Sequence, residues 1–483
     1  MYSIPRILFL AAVWILLLQG CKPDPVEPET YGFPTDVADI ILTRCATPGC
    51  HNDISYGNAG GINLSSWSAA FGFGRAGSSI IPYSTDYSYL LYFVNTDSTR
   101  GPALQPTMPL DQAALSVSEY EALKNWIRRG APDKDGRLRY PADPSRKKLY
   151  ACMQSCDQVA VIDAASNNIM RYIPVGSSPM ATEGPHQVKV SPDGQYWYVV
   201  FFAGTVVQKF RTSDDSIVSQ TFIGPGQWNT LIISPDGRKG FVNGTDLGTT
   251  VEINLETMAP GLQHSFNSSP HGGFITPDGR WLYLTQQTGS FITKVDLTTY
   301  DTEQLLLGGT PGQDSHEMTL SPDGTRYFVS CQATGQVLAY QLSNDSLLAV
   351  INVGAKPQEF AVSTHQPYVY VTCTEEPVDA SRKGLVYVID AVNLTVSGTV
   401  YTGFQPHGIA YDSDRQLVYV AHLNLDQSGP APHHFSMCGG RNGYITCIDE
   451  RTGGLLQKSL PNGAVFNYRQ EVLPAPYFIS YKR

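Results

Sequence analysis

From about residue 143 the chain is built of short apolar, aromatic-rich runs, each opened by a polar turn. The turn Ser191-Pro192-Asp193-Gly194 recurs at Ser234-Pro235-Asp236-Gly237, Thr276-Pro277-Asp278-Gly279 and Ser321-Pro322-Asp323-Gly324. Degenerate copies begin at Asp143, Ser363 and Asp412, so turns recur every 42 to 49 residues. Each turn is followed by an apolar strand, as in Tyr196-Trp197-Tyr198-Val199-Val200 or Trp281-Leu282-Tyr283-Leu284. A further strand often ends in Asp, as at Asp163, Asp296 and Asp390. A period of this length with four strands per unit is a β-propeller signature, and seven turns predict seven blades.

Closure can be read as well. The first unit begins at its turn and therefore lacks an innermost strand. The C-terminal Ala475-Pro476-Tyr477-Phe478-Ile479-Ser480-Tyr481 matches Gln405-Pro406-His407-Gly408-Ile409-Ala410-Tyr411, an innermost strand. The last strand is thus expected to complete the first blade and hide sheet edges that would otherwise be exposed. These units resemble the YVTN-type propeller family over about 340 residues.

Ahead of the repeats the period changes to that of a helix. Residues 36–140 read as a small all-α domain. Val37 to Thr43 is a short helical run. Ser116 and Glu119 form a capping box, with Leu115 and Tyr120 as a hydrophobic staple. Tyr120, Leu123, Trp126 and Ile127 make an apolar stripe. Gly130 can close the helix in the left-handed region, and Pro132 blocks its continuation.

This region carries the most specific chemistry in the chain. Cys45-Ala46-Thr47-Pro48-Gly49-Cys50-His51 places two thiols and an imidazole as covalent c-type haem attachment needs them. The usual spacing is C-x-x-C-H, whereas four residues separate the cysteines here. Pro106-Thr107-Met108-Pro109 supplies a methionine on a loop, and a thioether opposite a histidine raises the iron potential. The order of CxxxxCH, Met-Pro loop and terminal helix resembles monohaem cytochrome c domains of exported bacterial proteins. That resemblance implies Cys45 and Cys50 as haem attachment points, His51 as proximal ligand and Met108 as distal ligand. Met153, Met170 and Met180 are not excluded as sixth ligand by spacing. The competing reading is a Cys45–Cys50 disulfide with His51 incidental and Met108 a core residue.

Composition narrows the setting. Gly (44), Pro (33) and Tyr (27) are plentiful, as a strand-and-turn protein requires. The net charge of −10 and the lack of a basic face argue against nucleic acid. Arg6 and the apolar run Ile7 to Leu18 form an export signal over residues 1–20, too short to span a bilayer. Leu18-Gln19-Gly20-Cys21 resembles a bacterial lipobox with Cys21 lipidated, followed by an acidic, Pro-rich tether over 21–35. The expected location is the cell envelope, facing periplasm or exterior, with lipid as the sole membrane attachment. Outside the cytoplasm disulfides are permitted. Cys152 and Cys156, or Cys438 and Cys447, flank short turns and could bridge, although sequence leaves connectivity open.

One register position of the propeller is polar in every unit. Five residues before each turn lie His186, Asn229, His271, His316, Gln358 and His407, with Tyr477 on the closing strand. Two readings stand side by side: a hydrogen-bonded structural ring, or a site for a metal, cofactor or substrate. His433, His434, Met437 and Cys438 form a further group of soft donors in a long blade-7 insertion, a copper site or an ordinary loop. The short linker Pro141 to Ser145 leads to the expectation that the haem lies against one face of the ring.

Three functions follow. One is an electron-transferring cytochrome with one covalent haem, whose propeller docks a redox partner protein or small molecule. Another is an oxidoreductase with a second metal or cofactor in the channel, an order resembling the haem-d-type nitrite reductases, which have eight blades. The third is a surface binding or adhesion propeller. Fold alone does not choose among them.

Overall fold

The computed structural model describes residues 29–482 apart from 267, 310, 311, 376–383, 435, 437 and 461. The expected signal segment, Cys21 and Met437 lie outside the described residues. The described residues of 143–482 form seven antiparallel sheets of four or five strands around one axis, with a two-stranded hairpin of Gln457–Ser459 and Val465–Asn467 beside blade 7. The innermost strands are Pro476–Lys482, Pro185–Val190, Trp228–Ile233, Ser269–Ile275, Ser315–Leu320, Ala355–Val362 and Pro406–Asp412, for blades 1 to 7 in turn. Each neighbours the next, and the seventh meets the first. Pro476–Lys482 pairs with Lys148–Met153, so the C-terminal strand closes blade 1 as the sequence predicts.

The recurring turn explains its own composition. Ser191 Oγ accepts the Tyr196 amide at 3.0 Å, and Asp193 accepts the Gln195 amide at 3.0 Å. Gly194 sits at φ +70°, where a side chain is disfavoured. The Ser234 and Ser321 turns repeat the same bonds.

Inner strands share a second device. In all seven the ladder slips at the polar register position, for example between Pro185 and Gln187 and between Ser315 and Met318. Such a bulge leaves a residue without a ladder partner and sharpens the local twist.

Blade 7 departs from the pattern. Its third strand, Asn442–Asp449, is flanked on the outside by both Gly454–Leu455 and Arg469–Pro474. The insertion between Leu417–His422 and Asn442–Asp449 is tied to blade 1 by a Cys156–Cys438 disulfide. Neither expected short-range pair forms, because Cys152 and Cys447 are buried free thiols in the sheet cores.

Residues 29–140 fold as short helices and loops: α1 (Thr35–Ile40), α2 (Trp67–Ala70), α3 (Tyr89–Val94) and α4 (Val117–Arg128). The capping box at Ser116 and Glu119 is present, and Tyr120, Leu123, Trp126 and Ile127 are the buried face of α4. Phe33 meets Trp126 edge-on at 5.9 Å, and the Arg44–Glu119 ion pair of 2.8 Å ties the region after α1 to the start of α4. Gly130 takes φ +92°, and a Cβ there would strike the Tyr83 ring. Among the described residues no helix is long and apolar enough to cross a membrane.

This unit packs on the outermost strands of blades 1 and 7. Asn168 Nδ2 donates to the Phe71 carbonyl at 2.6 Å, and Tyr87 packs on Tyr172, both on the outermost strand of blade 1. Ser78 donates to Gln470 of blade 7 through both its amide and its hydroxyl, each at 3.3 Å. The linker length limits reach but not direction, and the apolar outer edges of blades 1 and 7 decide where the unit settles.

Candidate functional site

The CxxxxCH segment begins where α1 widens into a π-helical turn, Ile41–Cys45. The His51 amide donates back to the Cys45 carbonyl at 3.1 Å, closing the segment into a compact loop. Cys45 and Cys50 are not joined to each other. His51 Nδ1 stands 3.0 Å from the Ile62 carbonyl oxygen. A carbonyl only accepts, so Nδ1 carries the proton and Nε2 keeps its lone pair. Burial holds the His51 imidazole below its ordinary range, so it is neutral. Burial also pushes the Cys45 thiol up to about 12.

Met108 comes to the same core from the other side of the sequence. Its amide donates to the Phe93 carbonyl at 2.7 Å, and that of Leu104 to the Tyr92 carbonyl at 2.9 Å. Carbonyls in the last turn of a helix have no partner inside it. The Met108 loop therefore caps α3. Cys45, Leu42, Ile62, Leu90 and Met108 are all partly buried against one apolar cluster. Of the other methionines, Met153 and Met170 are buried in blade 1, and Met180 is exposed in a loop of blade 2.

On the propeller axis His186, His271, His316 and His407 are buried and brought together, with Tyr477 half-buried among them. His271 stacks on His316 with centroids 4.1 Å apart. Tyr477 is wedged between His407 at 3.9 Å and His186 at 4.2 Å. His271 Nδ1 donates to the His316 carbonyl and His407 Nδ1 to that of Tyr477, each at 3.0 Å. Gln154 and Gln287 amides donate to His186 and His316. Burial lowers all four imidazoles, His271 to about 4 and His407 to about 3, so they are neutral. Among the described residues no three of His, Cys, Asp and Glu are arranged to hold a metal ion.

Sequence reading missed the layer beneath. Glu317 and Glu359, one residue further along blades 5 and 6, share a hydrogen bond between buried carboxyl groups, and burial raises both. Glu317 also accepts the Gly273 amide of blade 4 at 3.0 Å. Their signal was present as acidic residues in otherwise apolar inner strands.

The blade-7 donors divide. Cys438 is consumed by its disulfide and offers no thiol, which corrects its place in the expected donor cluster. His433 and His434 lie against Tyr89 and Phe93 of α3 instead.

Fold and sites together define a seven-bladed β-propeller with a compact helical unit, bearing paired thiols, at its rim. No known family profile matches the chain. A 164-residue segment is 27% identical to antigen Lp49 of Leptospira interrogans serogroup Icterohaemorrhagiae serovar copenhageni, covering 32% of this chain and 36% of that protein. The chain thus spans about a third of the length of the curated relative it matches. Among solved structures it is similar to Kuenenia stuttgartiensis hydrazine synthase, with a TM-score of 0.49 and 15% identity over 63% of this chain and 92% of that chain.

Proposed function

We propose that this chain is an exported, lipid-anchored c-type cytochrome whose helical unit transfers electrons and whose propeller docks the redox partner. The observation that carries the reading is His51. Its Nδ1–H is committed to the Ile62 carbonyl, which leaves Nε2 as a free ligand on the segment that carries two unjoined thiols. Cys45 and Cys50 would each add an S–H across a vinyl group of the porphyrin, giving two thioether bonds. His51 and Met108 would be the axial ligands. When bound, the haem supplies a one-electron Fe(II)/Fe(III) couple. The chain's own residues hold the ligands: Ile62 fixes the imidazole tautomer, and α3 fixes the methionine loop. Cys21 would carry the lipid.

One mass measurement tests both halves. The intact chain purified from membranes should weigh as a polypeptide beginning at Cys21, plus acyl groups, plus one haem. In the Cys45→Ala/Cys50→Ala variant the haem increment should vanish. A wild-type mass without haem overturns the electron-transfer reading, and one without acyl groups overturns the anchor.

A further inference from the structure

The helical unit and the propeller meet at a point that reaches back to Met108. The Met108 amide is held by the Phe93 carbonyl, at the end of α3. On the same short helix Tyr89 is buried, and its hydroxyl donates to the Gly77 carbonyl at 3.1 Å. The Tyr89 ring lies 5.3 Å from that of His434 and 5.9 Å from that of His433, and the Phe93 ring lies 5.6 Å from His433. These two histidines belong to the blade-7 insertion, not to the helical unit.

That insertion is itself anchored three ways. The Glu471 carboxylate accepts the His433 amide at 2.7 Å and the His434 amide at 3.3 Å. Asn442 bridges Glu471 at 2.9 Å and the His434 carbonyl at 3.0 Å. The Cys156–Cys438 disulfide pins the far end to blade 1. The insertion is thus a strap, bonded to the propeller at His433, His434 and Cys438 and packed on α3 through the two histidine rings.

We propose that this strap is a positioning element for Met108, so that the propeller sets how firmly the sixth ligand of the iron is held. His434 and Glu471 are positioning residues that act through Tyr89 and α3. Coupling of this kind travels through contiguous packed rings and hydrogen bonds, and here each link is a contact between named groups. The inference rests on the haem reading for its consequence and not for its mechanics. A loosened methionine lowers the iron potential, because the thioether is the ligand that raises it. A partner seated on blade 7 could then tune the couple without touching the haem.

The test uses the full chain. In His434→Ala, exchange of the Met108 amide hydrogen should quicken about tenfold, since its bond to Phe93 opens more often. The midpoint potential should fall, because the thioether, which holds Fe(II) more tightly than Fe(III), spends more time off the iron. Haem content should be unchanged. His434→Phe, which keeps a ring against Tyr89, should restore both values. Glu471→Gln should move both in the same direction by less, and it decides the matter if His434→Ala does not fold. Ile351→Ala, buried on the outermost strand of blade 5 against blade 6, is the control, lowering stability while leaving Met108 exchange and potential alone. Unchanged Met108 exchange in a folded His434→Ala protein overturns the proposal, as does an equal change in Ile351→Ala. If the wild-type chain carries no haem, the electron-transfer reading fails, while the exchange measurement still decides the coupling.

Discussion

The propeller buries its strands by repetition, whereas the helical unit buries α4 through contacts that occur once. Each blade packs on two others through similar inner strands, and the ring needs Pro476–Lys482 to be complete. The helical unit has Trp126 at its centre, held by Phe33 on one side and by a bond from its indole N–H to the Pro132 carbonyl at 2.9 Å. A repeated interface spreads its stability over many equivalent contacts and fails at the seam, while a unique core fails at its largest side chain. The two regions should therefore break differently.

The largest effect is expected at the seam. Deleting residues 475–483 strips the inner strand from blade 1, bares the edge of Lys148–Met153 and removes the packing partner of the inner strands of blades 2 and 7. Cooperative thermal unfolding of the propeller should disappear, with rapid proteolysis. A truncated chain that melts like the full one would show that seven sheets close without that strand.

Trp126→Ala should act on the other region alone. The residue is fully buried, and truncation costs about 3–5 kcal/mol. Denaturant unfolding followed by exchange in α1 and α4 should show that loss, with propeller strands retaining their protection. Equal loss in the blades would mean that the two regions form one cooperative unit.

The third effect is small and sharpens the contrast through pH. His422, in the second strand of blade 7, is fully buried, and burial lowers it to about 3. The unfolded chain takes up a proton near 6.5 and the folded chain does not until about 3. Stability is therefore present above pH 6.5 and falls as pH drops through the window between those values, by ~1.4 kcal/mol per pH unit. In urea titrations at pH 7.5, 6 and 5, His422→Gln should remove that much of the slope. Other buried imidazoles contribute equally to both proteins and cancel in the difference. Identical slopes would show that His422 takes up its proton as readily in the fold as in the unfolded chain.

The same contrast explains what could be read from residues alone. Seven blades, the closing strand and the capping box at Ser116 were legible because each is a local pattern, repeated or spaced to a known geometry. The seat of the helical unit was not, because Asn168, Gln470 and Tyr172 meet it without any motif. Nor was the Cys156–Cys438 bond, whose partners are 282 residues apart. The polar ring lay open in the register, but the Glu317–Glu359 pair beneath it did not, since two glutamates become one site only when blades 5 and 6 bring them together. His433 and His434 read as donors because sequence shows side-chain chemistry and hides the α3 rings against which they pack.

The seven bulges of the inner strands have a consequence for how such a molecule can change over generations. Each places one residue where the ladder makes no demand on it. A substitution there leaves strand register intact, while a slip anywhere else would turn a whole face of the sheet outward. His186, Asn229, His271, His316, Gln358, His407 and Tyr477 thus answer less to the ladder than to one another, as the His271–His316 stack and the Tyr477–His407 contact show. The axis is the part of the propeller that changes in pairs, because each ring there rests on its neighbour's.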